Sequence, residues 1–134
     1  MLQSAQSTHS MVATDLCGEI FAALPVLDAQ ARIAEFGGDV EGYDEVAEMV
    51  LFEGDFMRRW LREGPVMGRS GLADALHEVA NNCAMVGAQR CALLSRAVEV
   101  RLRQSLPIEV LPAIQAIETE LNLMLQELSR RQAT

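Results

Sequence analysis

The chain contains no lysine, and all eleven basic residues are arginine. Any role that needs a flexible ammonium group is therefore filled otherwise or left empty. Basic charge is short overall: nineteen acidic residues leave a formal charge of −8 and a pI near 4.7, which argues against nucleic acid as a partner. Apolar runs are brief, the stretch 21–26 being typical, and fall far short of the roughly 20 residues that cross a bilayer. No membrane segment is expected, and the chain reads as soluble. Cysteine is limited to Cys17, Cys83 and Cys91, an odd number without a C-x-x-C pair, and no Arg- or Lys-led apolar stretch opens the chain. Free thiols in a reducing cytoplasm are the expectation. Strand signals are absent too: there is neither β-branched alternation nor an Asn-Gly turn. With 134 residues, 50% hydrophobic but only 4% aromatic, there is room for one core of moderate size and not for a second ordinary domain.

The pattern that remains is helical. Residues 1–22 open on a polar stretch containing His9 and turn apolar from Met11, which predicts an N-terminal extension that is flexible or helical. A short helix is expected over 27–36, stopped by Gly37 and Gly38. Asp39 is placed to cap the next helix, with Glu41 in its first turn. Tyr43, Val46, Ala47, Val50, Met57, Trp60 and Leu61 then recur at three- and four-residue steps up to about Glu63. A loop over 64–70 precedes a helix with Leu72, Leu76, Val79, Cys83 and Val86 inside, expected to break or bend within 81–87. Another helix is predicted over 88–103, with Leu93, Leu94, Ala97 and Val98 inward. A last one begins between Pro107 and Pro112, with a seam of Leu111, Ile114, Ile117 or Glu118, Leu121, Met124 or Leu125, and Leu128. Amphipathic helices joined by short loops predict an all-α fold, an up-down four-helix bundle over 23–131 behind the 1–22 extension.

Few residues carry chemistry. His77 lies mid-helix in the best-patterned stretch, with Ala73, Asp74, Ala80 and Asn81 at its helical neighbour positions and Ala84 one turn on. An imidazole on a strip of alanines is shaped to receive another protein rather than to enclose a small substrate. By pattern alone it is equally an ordinary surface histidine. No metal site is expected: His77-Glu78-Val79-Ala80-Asn81 begins like H-E-x-x-H, but Asn81 stands where the second ligand belongs. Cys83 and Cys91 lack further ligands and read as buried thiols. No G-x-S-x-G, Walker loop or dinucleotide fingerprint occurs.

The run His77-Glu78-Val79-Ala80-Asn81-Asn82-Cys83-Ala84-Met85-Val86-Gly87-Ala88 resembles the signature of histidine phosphotransfer (HPt) domains, roughly H-x-L-K-G-x-x-x-x-L-G-A. Upstream, Phe36-Gly37-Gly38-Asp39, then Tyr43 and Phe52, is similar to the F-G-G-D…Y…F opening of that family, and the likeness spans about residues 25–128. It implies a phosphorelay intermediate in two-component signal transduction. His77 would accept a phosphoryl group from a receiver-domain aspartate and pass it to another, with neither an ATP site nor autokinase activity. It implies response-regulator receiver domains as partners, with a hybrid sensor kinase upstream, and no cofactor of its own, since Mg²⁺ belongs to the receiver. The docking strip would be Ala73, Ala80, Asn81 and Ala84, while Gly37, Gly38 and Gly87 serve structure, Gly87 in helix packing or a tight turn.

Two departures stand out: Ala80 and Asn81 occupy the family's usual Lys and Gly positions. A nearby cation stabilises a phosphoryl group in flight, and losing one such donor costs about 3 kcal/mol in the barrier, about a hundredfold in rate. Arg58, Arg59, Arg62 and Arg69 are the sequence's candidates to replace it, and the Asn81 amide is a further donor. Two alternatives stay open: a degenerate HPt-like domain that binds a receiver or kinase without carrying phosphate, and a structural helical module that dimerises through 11–24. The expected state is a monomer or a weak dimer through that extension.

Overall fold

The computed structural model describes residues 11–134, and all regular structure among them is helical. His9 lies outside the described residues. Residues 11–17 form α1, followed by the single turn α2 (Ile20–Ala23), then α3 (Ala29–Glu35) and α4 (Val40–Glu63). A 3₁₀ turn, Gly64–Met67, leads into α5 (Gly68–Met85), α6 (Gln89–Arg103) and α7 (Val110–Gln132). Among the described residues, no helix is long and apolar enough to cross a membrane.

Local chemistry sets these limits. Asp28 caps α3, its carboxylate accepting from the Ala31 amide at 3.0 Å, so the helix starts two residues later than the apolar pattern suggests. Asp39 caps α4 as expected, accepting from the Gly42 amide at 2.9 Å, with Glu41 in the first turn. After α3, Gly37 and Gly38 take φ of +70° and +85°, and their amides return to the carbonyls of Ala34 and Ile33. That is a Schellman ending, which needs the left-handed backbone that glycine supplies without penalty. Helix α5 ends inside 81–87, where a break or bend is expected from the sequence. It runs to Met85 and closes in the same way as α3, Gly87 at φ +85° with Ala88 N–H donating to the Cys83 carbonyl.

Four long helices carry the core: α4 packs on α5 and α7, and α6 packs on α5 and α7. Met57, Leu61, Leu72, Leu76, Val79, Leu94, Ile117, Leu121, Met124 and Leu128 are fully buried among them. Burying a side chain of this kind is worth about 1.5–3 kcal/mol. Leu111 departs from the expected seam. It is exposed, because α7 begins at Val110 and its first turn projects beyond the core that Ile114 and Ile117 enter. Within the described part of the N-terminal extension, residues 11–22, Ala13 and Phe21 are buried, and Phe21 lies under the Arg90 guanidinium at 4.7 Å.

Candidate functional site

His77 sits on α5 with its side chain 54% exposed, and the imidazole meets α6 at one point. Its Nδ1 lies 3.2 Å from Glu99 Oε2. A carboxylate can only accept, so in the neutral imidazole this bond assigns the ring proton to Nδ1 and leaves the lone pair on Nε2. Arg103, one turn beyond Glu99, donates from Nε to the same Glu99 oxygen at 2.8 Å and from Nη2 to Asp74 Oδ1 at 3.0 Å. The result is a chain of contacts, His77–Glu99–Arg103–Asp74, that bridges the two helices at the surface. The bonds to Glu99 first, and to Asp74, hold the Arg103 guanidinium even more firmly protonated than usual.

The turn at Gly87 creates this pairing. Helices α5 and α6 fold back on each other around it, with His77 ten residues before and Glu99 twelve after, which sets them side by side. The turn is held from three sides. Tyr43 donates its hydroxyl proton to Val86 O at 2.7 Å, Arg32 Nε donates to Met85 O at 3.2 Å, and the Asp28 amide donates to Gly87 O at 2.9 Å. These bonds satisfy carbonyls that the end of α5 leaves without helical partners. A Cβ on Gly87 would collide with the Asp28 carbonyl oxygen. The turn-and-packing role read for Gly87 therefore has a geometric basis.

The strip of small residues needs correction. Ala73 and Ala80 are buried rather than presented to a partner. Among the helical neighbours of His77, the surface is formed instead by Asp74 and Asn81, which are exposed, and Ala84, half-buried. Three of the sequence's four candidate cations also find other work, and the fourth, Arg62, is exposed in the last turn of α4. Arg58 binds Asp55 and Asn122, Arg59 lies 5.9 Å from the Phe56 ring, and Arg69 donates to the carbonyls of Arg101, Leu102 and Leu106 at the end of α6. Arg103 is the cation joined to the histidine's cluster. It was not among the sequence candidates, although the Glu99/Arg103 spacing of four residues on one helix is a legible ion-pair signal.

Among the described residues, no group of three or more His, Cys, Asp or Glu is arranged to hold a metal ion. The cysteines are unpaired. Burial pushes the Cys17 thiol up to about 11, and the hydrogen bond with Cys83, then burial, pushes Cys91 well above its ordinary value. Neither is a nucleophile at neutral pH. No family model matches the chain, and neither the curated proteins nor the solved structures contain a match to it.

Proposed function

We propose that this protein is a histidine-containing phosphotransfer protein of a two-component phosphorelay, its four long helices forming an HPt-like bundle. The observation that carries the reading is an exposed His77 whose Nδ1–H is held by Glu99, leaving Nε2 as the nucleophile. The likeness of residues 77–88 to the family signature supports it.

In the proposed step the Nε2 lone pair attacks the phosphorus of a receiver's aspartyl phosphate. The N–P bond forms as the P–O bond to the aspartate breaks, and the electron pair leaves on the receiver's carboxylate. The phosphorylated ring keeps its Nδ1 proton and becomes cationic, and the Glu99 carboxylate offsets that charge. Arg103, held beside Glu99, supplies the positive charge that Ala80 lacks, and the exposed Asn81 amide is one turn away as a donor. Return of the phosphoryl group to a second receiver reverses the step. Mg²⁺ and the remaining acid–base groups belong to the receiver, and the setting is cytoplasmic.

Incubation with an aspartyl-phosphorylated receiver tests this directly. An acid-labile, base-stable label is expected on the chain and absent in His77→Gln. No label from any of several receivers overturns the proposal. Ala80, buried where the family carries lysine, favours one second reading, in which the domain binds a receiver without taking its phosphate. That reading expects a stable complex and no label.

A further inference from the structure

Helix α4 buries one face and leaves a second apolar face open. Met49, Phe52 and Phe56 follow one another at three- and four-residue steps on its outer side and are 64%, 75% and 42% exposed. The rings of Phe52 and Phe56 touch each other, 6.2 Å between centroids, and Arg59 reaches back over Phe56. Isolated exposed apolar residues are ordinary, but three in register on one helix, two of them aromatic, form a stripe of the kind that seats another helix.

The charges beside the stripe indicate what covers it. Acid alone occupies the N-terminal half of the helix, whereas base outweighs acid beyond Phe56, where Glu63 is the exception, and Asp55 between the two is paired with Arg58. Glu45 and Glu48 lie on the N-terminal side of Met49, and Arg59 and Arg62 lie on the C-terminal side of Phe56. All four are exposed, and among the described residues Glu45, Glu48 and Arg62 have no ion-pair partner. A surface with acid at one end and base at the other is complementary to itself when turned through a two-fold axis. Antiparallel pairing centred between Phe52 and Phe56 stacks Phe52 of one copy on Phe56 of the other. It also brings the Arg59 and Arg62 end of each copy against the Glu45 and Glu48 end of its mate. A parallel pairing would set acid on acid and base on base.

We infer that the open face of α4 is a homodimer interface, formed by two copies of this chain packing their α4 helices antiparallel along Met49, Phe52 and Phe56. The face lies apart from the His77–Glu99–Arg103 cluster, so the inference does not depend on the phosphotransfer reading. A single helix pair makes a small interface, and the dimer is accordingly a concentration-dependent one.

Sedimentation equilibrium of the whole chain over roughly a hundredfold range of concentration tests it. The mass is expected to rise from 14.7 kDa toward twice that value. Phe52→Glu is expected to hold the mass at one chain with unchanged far-UV circular dichroism, and Met49→Glu provides the same readout should the first variant misfold. Glu48→Arg and Arg62→Glu are each expected to weaken association at least about tenfold, and the double exchange to restore it, because the pair is then remade with its signs reversed. A chain that stays monomeric throughout overturns the inference. So does association that survives Phe52→Glu, which would place the contact elsewhere, as on the N-terminal helices. Failure of the double exchange to restore what the single exchanges lose overturns the antiparallel pairing.

Discussion

At the residue scale, the behaviour of His77 follows from what its two neighbours across the hairpin contribute. Glu99 holds the ring through a hydrogen bond, and Arg103 brings a cation to Glu99 and Asp74. Glu99→Gln keeps an acceptor for Nδ1–H and is expected to retain phosphotransfer, whereas Glu99→Ala loses it and should slow transfer about tenfold or more. Arg103→Ala removes the cluster's cation and is expected to slow transfer about a hundredfold while leaving the helical content unchanged. Single-turnover transfer from a labelled receiver, with circular dichroism alongside, reads both. The sequence pointed to the histidine itself, since an imidazole in a well-patterned helix is conspicuous. It concealed its partners because they are 22 and 26 residues away, and only the fold-back at Gly87 brings them near. Alanine misled in the opposite sense. Ala73 and Ala80 read as open ground on the surface, but a small apolar side chain suits the packed interior equally well, and both are buried.

At the element scale, the helix ends were legible wherever glycine marked them. The stop at Gly37-Gly38 and the turn at Gly87 were visible in the sequence, and each has the positive φ that such a turn needs. The third Schellman ending was hidden. Helix α6 closes with Leu106 N–H donating to Arg101 O at 2.9 Å, and the residue in the left-handed position is Ser105, φ +57°. A serine there carries a steric cost that glycine does not, so Ser105→Gly is expected to stabilise the chain by up to about 1 kcal/mol in urea unfolding. Gly87→Ala is expected to destabilise by about 2 kcal/mol or more, since it combines an unfavourable φ with a collision against the Asp28 carbonyl. The start of α3 was misplaced because Leu27 continues the apolar pattern while Asp28, a capping residue, sits inside it. Leu111 was misassigned because the seam's spacing extends one turn past the point where the core ends.

At the scale of the whole molecule, the four long helices were readable from periodicity, while the buried charge between α6 and α7 was not. Arg90 donates to Glu120 at 2.7 Å, both lie mostly inside, and the Arg90 guanidinium covers the Phe21 ring. Desolvation raises the Glu120 carboxyl above its ordinary value of 4.5 despite the attraction of Arg90. A carboxyl raised in the folded state binds its proton more tightly there than in the unfolded chain. Its contribution to stability is therefore complete below the unfolded value and is lost as pH rises through the folded one. Acidification from about pH 7 to about pH 4.5 is expected to strengthen the fold through this group, opposite in sign to the usual surface carboxylate. Urea unfolding across that range checks it, because Glu120→Gln should remove that part of the slope.

The amide of Asp28 reaching Gly87 joins two parts of the chain that are far apart in sequence, whereas α5 and α6 meet across a turn of a few residues. Closing a short loop is fast and closing a long one is slow, so the order of folding follows from this geometry. The α5–α6 hairpin is expected to form in the nucleus, with the strap from Asp28 fastening after the rate-limiting barrier. Truncating Leu94 should then mainly retard refolding, while Asp28→Ala, which keeps the backbone strap but removes the carboxylate that caps α3 beside it, should mainly hasten unfolding, a division that a chevron plot displays as movement of one limb or the other.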